Sequence, residues 1–205
     1  PTAEDLEAAV MGASPTQEQE QPIRSVRVSV VHGNLSFCSN PVAIGHYEGD
    51  DLFSAEREMD QHLNGRLSLG QRLGLYPGVE GSVNVLLNEG NKKPRGAIIV
   101  GLGKAGELSP NKLSNSFANA LREYGVKAME HHTLGETGEL KISTLLIGTG
   151  GTGLSITNSV NAILSPVLQA NKSFAQVVDG NPVGFGHQYN IRISEVEFVE
   201  LYKDQ

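Results

Sequence analysis

The sequence "STLLIGTGGTGLSITNSVNAIL", residues 143–164, decides how the rest of the chain is interpreted. A short apolar run meets four glycines in six positions, and a helical pattern follows. This order predicts a buried strand, a tight corner and then a helix. An earlier segment, "GAIIVGLGKAGELSPNKLSNSF" (96–117), has the same order. Both contain Gly-x-Gly-x-x-Gly, which defines a first corner at Gly101, Gly103 and Gly106, and a second corner at Gly148, Gly150 and Gly153.

Strand patterns alternate with helix patterns along most of the chain. Short apolar or alternating runs predict strands at 26–31, 42–47, 82–88, 96–101, 141–148 and 191–202. Amphipathic spacing predicts a helix at 50–63 with Asp50 or Asp51 as its N-cap, a helix from Ser109-Pro110 onward, and a helix after the second corner, where Pro166 should bend or break it. The apolar side of the second helix contains Leu113, Phe117, Ala120, Leu121 and Tyr124, and that of the third contains Ile156, Val160, Ile163, Leu164, Val167 and Leu168. The last strand changes phase near Ser194, which indicates a bulge. The order favours an α/β fold in which helices cover both faces of a mixed, mostly parallel sheet.

Length and composition are typical of one globular domain. The chain has 205 residues, a formal net charge of −7 and a single cysteine, Cys38. These values exclude an intramolecular disulfide and give no support to nucleic-acid binding. No apolar run approaches the length of a membrane span, so we expect a cytoplasmic protein. Residues 1–24 are polar and predict a linker or flexible N-terminal segment, and 25–205 predict a single domain.

The glycine corners have two possible uses. Glycine allows positive φ and close approach of a ligand, and a helix N-terminus attracts anions. If the two strands are neighbours, both helix N-termini converge on one anion. The candidate phosphate-binding residues are Gly148, Thr149, Gly150, Gly151, Thr152, Gly153, Gly101, Gly103 and Lys104. Alternatively, both corners only turn the chain, and Lys104 is a solvated loop residue.

Known catalytic motifs do not fit the corners. The dinucleotide-binding fingerprint needs an acidic residue about 20 positions later, at the end of the next strand, and neither corner has one. A P-loop fails because Glu107 follows Gly106. Ser155 resembles a nucleophile only in part, since Thr157 replaces the glycine of that motif, and an N-cap role explains it. With no His pair at metal-ligand spacing, we predict no catalytic residue, no metal and no cofactor.

Several phrases in order resemble a macrodomain-like domain. They are "GHYEGD" (45–50), "LGLYPG" (73–78), "GLGKAGELSP" (101–110), "LLIGTGGTGLS" (145–155) and "EVEFVELY" (195–202). The chain resembles the non-catalytic N-terminal domain of leucyl aminopeptidases, and also the leading domain of large bacterial proteins with a CHAT (caspase-like) protease domain. The resemblance covers residues 26–202 and implies a three-layer macrodomain-like α/β fold.

The resemblance also implies a partial nucleotide site. The phosphate loop of ADP-ribose-binding macrodomains matches residues 148–153. The acid that meets adenine in that family is replaced here, because Gly33 is followed by Asn34. The asparagine-rich loop near the distal ribose corresponds to "IGHYEGDD" (44–51), which has neither the asparagines nor the glycine run.

The resulting functional prediction is a non-catalytic accessory domain of a larger bacterial protein, such as a CHAT-type protease, with an interaction or regulatory role. Its partner is then another domain of the same polypeptide or a separate protein, which contacts the Leu- and Gly-rich region 65–81. The alternative is a binding module for ADP-ribose or another phosphate-bearing nucleotide through the second corner.

Overall fold

The computed structural model describes residues 25–90, 92–131, 138–150, 153–179 and 191–201. The predicted linker at 1–24 lies outside these residues. The strands within the described ranges are β1 (Arg27–His32), β2 (Val42–His46), β3 (Val83–Leu87), β4 (Gly96–Gly101), β5 (Glu139–Thr144) and β6 (Arg192–Glu200). The α-helices are α1 (Ser54–His62), α2 (Arg66–Arg72), α3 (Pro110–Glu130) and α4 (Ile156–Asp179).

The six strands form one mixed sheet in the order β1-β6-β5-β2-β4-β3. All neighbouring pairs are parallel except the β3–β4 hairpin. A parallel pair needs a crossover connection, and helices α1, α3 and α4 lie in such connections. This architecture confirms the predicted α/β class with a mostly parallel sheet.

Two apolar cores lie on opposite faces of the sheet. One contains Phe117 and Leu121 of α3 together with Ile163 of α4. The other contains Met59 of α1 and Leu67 of α2. Full burial of one such side chain contributes about 1.5–3 kcal/mol. The helices therefore cover both faces, and the ends of the strands are left for loops.

Several local predictions are confirmed by hydrogen bonds and register. Ser109 caps α3 by accepting a hydrogen bond from the Lys112 amide at 3.3 Å, and Pro110 is the first helical residue. Leu140 pairs with Ile193 whereas Lys141 pairs with Glu195, which leaves Ser194 as the extra residue of a bulge.

Other local predictions are wrong. Helix α1 begins at Ser54 after Phe53, and not at an aspartate cap. Helix α2 was not predicted, and it lies within the Leu- and Gly-rich region 65–81. Strand β5 ends at Thr144, where the chain turns toward the second corner. Helix α4 continues through Pro166, so the predicted break does not occur, and a bend there stays a prediction.

Candidate functional site

The carboxyl ends of the parallel strands β2, β4 and β5 form one edge of the sheet, and both glycine corners lie there. Strand β2 lies between β4 and β5. The expectation that the strands leading into the two corners are neighbours is therefore wrong. The corners nevertheless meet across β2. A Cβ atom placed on Gly45 would lie 2.7 Å from the Leu102 side chain and 2.6 Å from that of Ile147. Glycine is therefore needed in β2 to let the two corners close over it.

The first corner is occupied by other parts of the protein. A Cβ atom on Gly101 would collide with the carbonyl oxygen of Val79. Gly103 has φ +74°, its amide donates to the Gly78 carbonyl at 2.8 Å, and its carbonyl accepts from the Glu48 amide at 2.9 Å. The first corner thus joins three segments, and the Gly103 amide is not available to a ligand.

The second corner closes on itself. The Gly148 carbonyl accepts from the Leu154 amide at 2.7 Å, and the Gly150 carbonyl accepts from the Gly153 amide at 3.0 Å. Gly148 has φ +76°, and a Cβ atom on Gly153 would collide with the Gly148 carbonyl. Gly150 differs from both, because its φ is not left-handed, it is exposed, and a Cβ atom there would meet no described atom within 4 Å.

The other predicted phosphate-binding residues are Thr149, Lys104, Gly151 and Thr152. The Thr149 hydroxyl donates to the Leu146 carbonyl at 3.3 Å. Lys104 is exposed, and its side chain has no hydrogen-bond or ion-pair partner among the described residues. Gly151 and Thr152 lie outside the described residues.

Helix α4 follows the second corner directly. The Ser155 hydroxyl accepts a hydrogen bond from the Asn158 amide at 3.2 Å, so Ser155 acts as an N-cap. Ser159 is buried, and its hydroxyl donates to the Ile147 carbonyl at 2.7 Å. These two serines fix the start of the helix, and the positive end of its dipole faces the corner.

The end of β1 has a structural role in this chain. The Asn34 side chain accepts a hydrogen bond from the Ser36 amide at 2.8 Å, which caps the short 3-10 turn Leu35–Phe37. The Gly33 amide donates to the Glu200 carbonyl at 3.0 Å. The residue that replaces the adenine-binding acid therefore stabilises the local backbone.

A buried polar cluster lies at the same edge, and no contact between its side chains was predicted from the sequence. His46 ends β2, and its Nδ1 lies 2.8 Å from Oε1 of Glu56 in the first turn of α1. The same oxygen accepts from the Tyr76 hydroxyl at 2.9 Å, while Oε2 accepts from the Phe53 amide at 3.1 Å. His46 and Glu56 are each only 5% exposed. Burial and the Glu56 carboxylate raise the pKa of Tyr76 far above its usual range, so its hydroxyl stays protonated and donates.

The hydrogen bond to Glu56 occupies Nδ1 of His46. A carboxylate accepts hydrogen bonds, so Nδ1 donates to Oε1. Nε2 is left without a partner among the described residues. The Tyr76 ring meets the imidazole edge-on, with centroids 4.7 Å apart and planes at 88°, and holds its orientation.

A cavity of about 310 Å³ lies beside this cluster. It is lined by His46, Tyr76 and the acidic loop between β2 and α1, including Glu48, Asp50 and Asp51. The two aspartates were predicted to cap a helix, but they lie on this cavity instead. The histidine and Glu56 are ten residues apart on a strand and a helix, and no local spacing rule signals such a pair.

A larger cavity of about 560 Å³ lies at the opposite edge of the sheet, near the starts of β2, β4 and β5. Arg95, Tyr124 and Lys141 are among its lining residues. It contains no residue of either glycine corner. In the described part of the chain, no group of three or more His, Cys, Asp or Glu side chains is arranged to hold a metal ion. No helix in these ranges is both long and apolar enough to cross a membrane.

Comparison with solved structures shows the class of fold. The macrodomain of DarG from Mycobacterium tuberculosis is similar to this chain with a TM-score of 0.53 at 11% identity, over 85% of this chain and 98% of that one. The macrodomain of Thermus aquaticus DarG gives 0.51 at 12% identity, over 86% and 99%. A mutant macrodomain of Oceanobacillus iheyensis gives 0.51 at 16% identity, over 84% and 79%. The chain has a macrodomain-like fold.

A protein-family model also matches part of this chain. The model of the N-terminal domain of the cytosol aminopeptidase family matches residues 43–132. This region runs from β2 through α3 and includes the first corner and the acidic cavity. The macrodomain-like fold thus resembles the aminopeptidase N-terminal domain, as the sequence phrases predicted. Among curated proteins, no match was found.

Proposed function

We propose that this chain is a binding module for a nucleotide that carries a diphosphate, such as ADP-ribose, and that the second corner binds the phosphates. Ligands of open α/β sheets bind outside the carboxyl ends of the strands, and the second corner lies at that edge. The N-terminus of α4 adds a favourable partial positive charge. The macrodomain-like fold is compatible with this use.

One observation carries the proposal, namely the surroundings of Gly150. Every other described glycine in the two corners is required by a positive φ or by backbone packing. Gly150 has neither requirement and is open to solvent. The remaining use of a glycine at such a position is to let a ligand approach the backbone closely.

Calorimetric titration with ADP-ribose tests this function. We expect saturable binding to the wild type and at least a tenfold weaker affinity for Gly150→Ala, because the new methyl group occupies the space of a phosphate. Gly70→Ala is the matched control, since Gly70 has ordinary φ, lies in α2 and has only a van der Waals neighbour. At a ligand concentration of 100 Kd, the free energy of unfolding of the wild type should rise by about 2.7 kcal/mol. No binding and no thermal shift at millimolar ADP-ribose would contradict the proposal.

We also propose a second function, as an accessory domain of a longer protein. The matching model describes the N-terminal domain of a protein family, which supports a role as one part of a larger chain. The CHAT-type protease, the bacterial source and the cytoplasmic location stay predictions. Sequencing the full reading frame tests this function, and a frame that encodes no further domain would contradict it.

A further inference from the structure

The acidic cavity beside the first corner points to a second binding site of opposite charge. We propose that it is a docking site for a basic side chain, arginine or lysine, on a segment of a partner protein. This proposal does not rest on the nucleotide proposal, because the cavity is formed by the loop between β2 and α1 and the segment 71–79, whereas the phosphates would lie at 148–153. The resemblance places the same β2–α1 loop near the distal ribose, so the test titrates both ligands.

The charge of the cavity selects a cation. Three of its lining residues, Glu48, Asp50 and Asp51, carry exposed carboxylates, and no lysine or arginine lines it. None of these carboxylates has an ion-pair partner among the described residues. The carboxylates therefore repel a phosphate and attract a positively charged group.

His46 adds an independent sign of a missing ligand. It lines the cavity and is 5% exposed, and its Nε2 has no partner among the described residues. Within the described, non-exposed side chains, Oε1 of Glu58 is the one fully buried oxygen or nitrogen atom that lacks a hydrogen bond. Nε2 of His46 must therefore reach solvent, and the cavity is the space it lines. A ligand in the cavity can contact this nitrogen.

A basic side chain matches the charge of the cavity. Ammonium and guanidinium groups carry only donors, so they pair with the carboxylates at its rim. A guanidinium also presents two donors to one carboxylate. A neutral sugar or amide would leave the excess negative charge uncompensated.

The rim indicates that the cation belongs to a protein segment. Val79 lines the cavity and is 59% exposed, while Leu73 and Leu75, on either side of the lining residue Gly74, are 62% and 70% exposed. Exposed apolar groups around a charged pocket fit a peptide whose basic residue is flanked by apolar ones. A free cation would bury none of this surface.

The walls of the cavity are held in place before binding. The Gly103 amide and carbonyl connect Gly78 to Glu48, and a Cβ atom on Gly78 would lie 2.9 Å from the Cα of Glu48. The first corner therefore fixes the two segments that form the cavity. Such preorganisation lowers the cost of binding.

The test uses the blocked peptide acetyl-Ala-Leu-Arg-Leu-Ala-amide, titrated into the 15N-labelled chain and followed by amide chemical shifts. A second peptide replaces arginine with citrulline, which keeps the shape and removes the charge. We expect saturable shifts concentrated at 46–51 and 74–79, and at least tenfold weaker binding of the citrulline peptide. Asp50→Asn with Asp51→Asn should reduce the affinity for the arginine peptide at least tenfold.

The control variant combines Glu107→Gln with Glu123→Gln, which removes two exposed carboxylates away from the cavity and should leave peptide affinity unchanged. Equal binding of both peptides, shifts centred elsewhere, or full affinity in the aspartate variant would overturn the docking site. The aspartate variant is also titrated with ADP-ribose. A retained response to ADP-ribose together with lost peptide binding separates the two sites.

Discussion

The two glycine corners have the same spacing in the sequence and different surroundings in the structure. Gly103 of the first corner gives its amide and its carbonyl to neighbouring segments. Gly150 of the second corner has an exposed backbone and open space where a side chain would be. Gly-x-Gly-x-x-Gly therefore describes only how tightly a strand can turn toward a helix. Which corner can bind a ligand is decided by whether other segments already occupy its backbone.

The sheet order explains this difference. Strand β4 lies between β2 and β3, so the first corner is enclosed by the segment after β2 and the segment before β3. Strand β5 has β2 and β6 as neighbours, and the second corner is followed at once by α4. The first corner is thus a joint within the fold, and the second is an open turn at a helix N-terminus.

The largest expected effect is at the first corner. Gly101→Ala places a methyl group against the backbone of Val79, which cannot move without separating the first corner from the segment 78–82. We expect a loss of about 3 kcal/mol or more in the free energy of unfolding, at the upper end of overpacking effects. Urea denaturation measures it. A loss below about 1 kcal/mol would show that the first corner is not a rigid joint.

The next effect concerns the polar cluster that the first corner supports. Glu56→Gln puts an amide in place of a carboxylate that accepts hydrogen bonds from His46, Tyr76 and Phe53. One donor then faces another, and we expect a loss of about 2 kcal/mol. Denaturation of this variant and of Glu107→Gln, an exposed control, should differ by that amount. Equal stability would indicate that the cluster contributes nothing to the fold.

A smaller loss is expected within the second corner. Gly148→Ala must keep φ near +76°, and its methyl group must displace the Leu108 side chain. A side chain can move more easily than a backbone, so we expect a loss of about 1–2 kcal/mol. The Tm should fall less than for Gly101→Ala, and the reverse order would contradict the assignment of open and enclosed corners.

The smallest effect on stability is expected at Gly150. Gly150→Ala meets no neighbour and no forbidden φ, so the free energy of unfolding should be unchanged or rise by about 0.5 kcal/mol. Thermal denaturation without ligand measures this. A loss above about 1 kcal/mol would mean that Gly150 is needed for folding, which would remove the argument for a ligand.

Sequence patterns located most of the fold because local periodicity specifies it. The buried run 96–101 is strand β4, and the stripe Leu113, Phe117 and Tyr124 is the buried face of α3. The phase shift near Ser194 revealed the bulge. Patterns of this kind depend only on residues that are close to one another in the sequence.

The errors share a physical cause, which is tertiary contact. On the predicted apolar side of α4, Ile163 and Val167 are fully buried, whereas Ile156 and Leu168 are 63% and 58% exposed. The face of α4 that packs on the core is therefore narrower than the predicted one. Helix α2 was not predicted, because Gly65 indicated the end of the preceding helix and Gly70 begins a run that is rich in turn residues. His46 and Glu56 come into contact only after β2 and α1 pack together, so no spacing of residues in the sequence could predict this pair.

Amide chemical shifts of the 15N-labelled chain during titration with ADP-ribose test the comparison of the corners most directly. We expect saturable chemical-shift changes at 148–150 and at the start of α4, with the amides of 101–106 unchanged. Shifts centred on the first corner, or no shift in either at millimolar ligand, would contradict it.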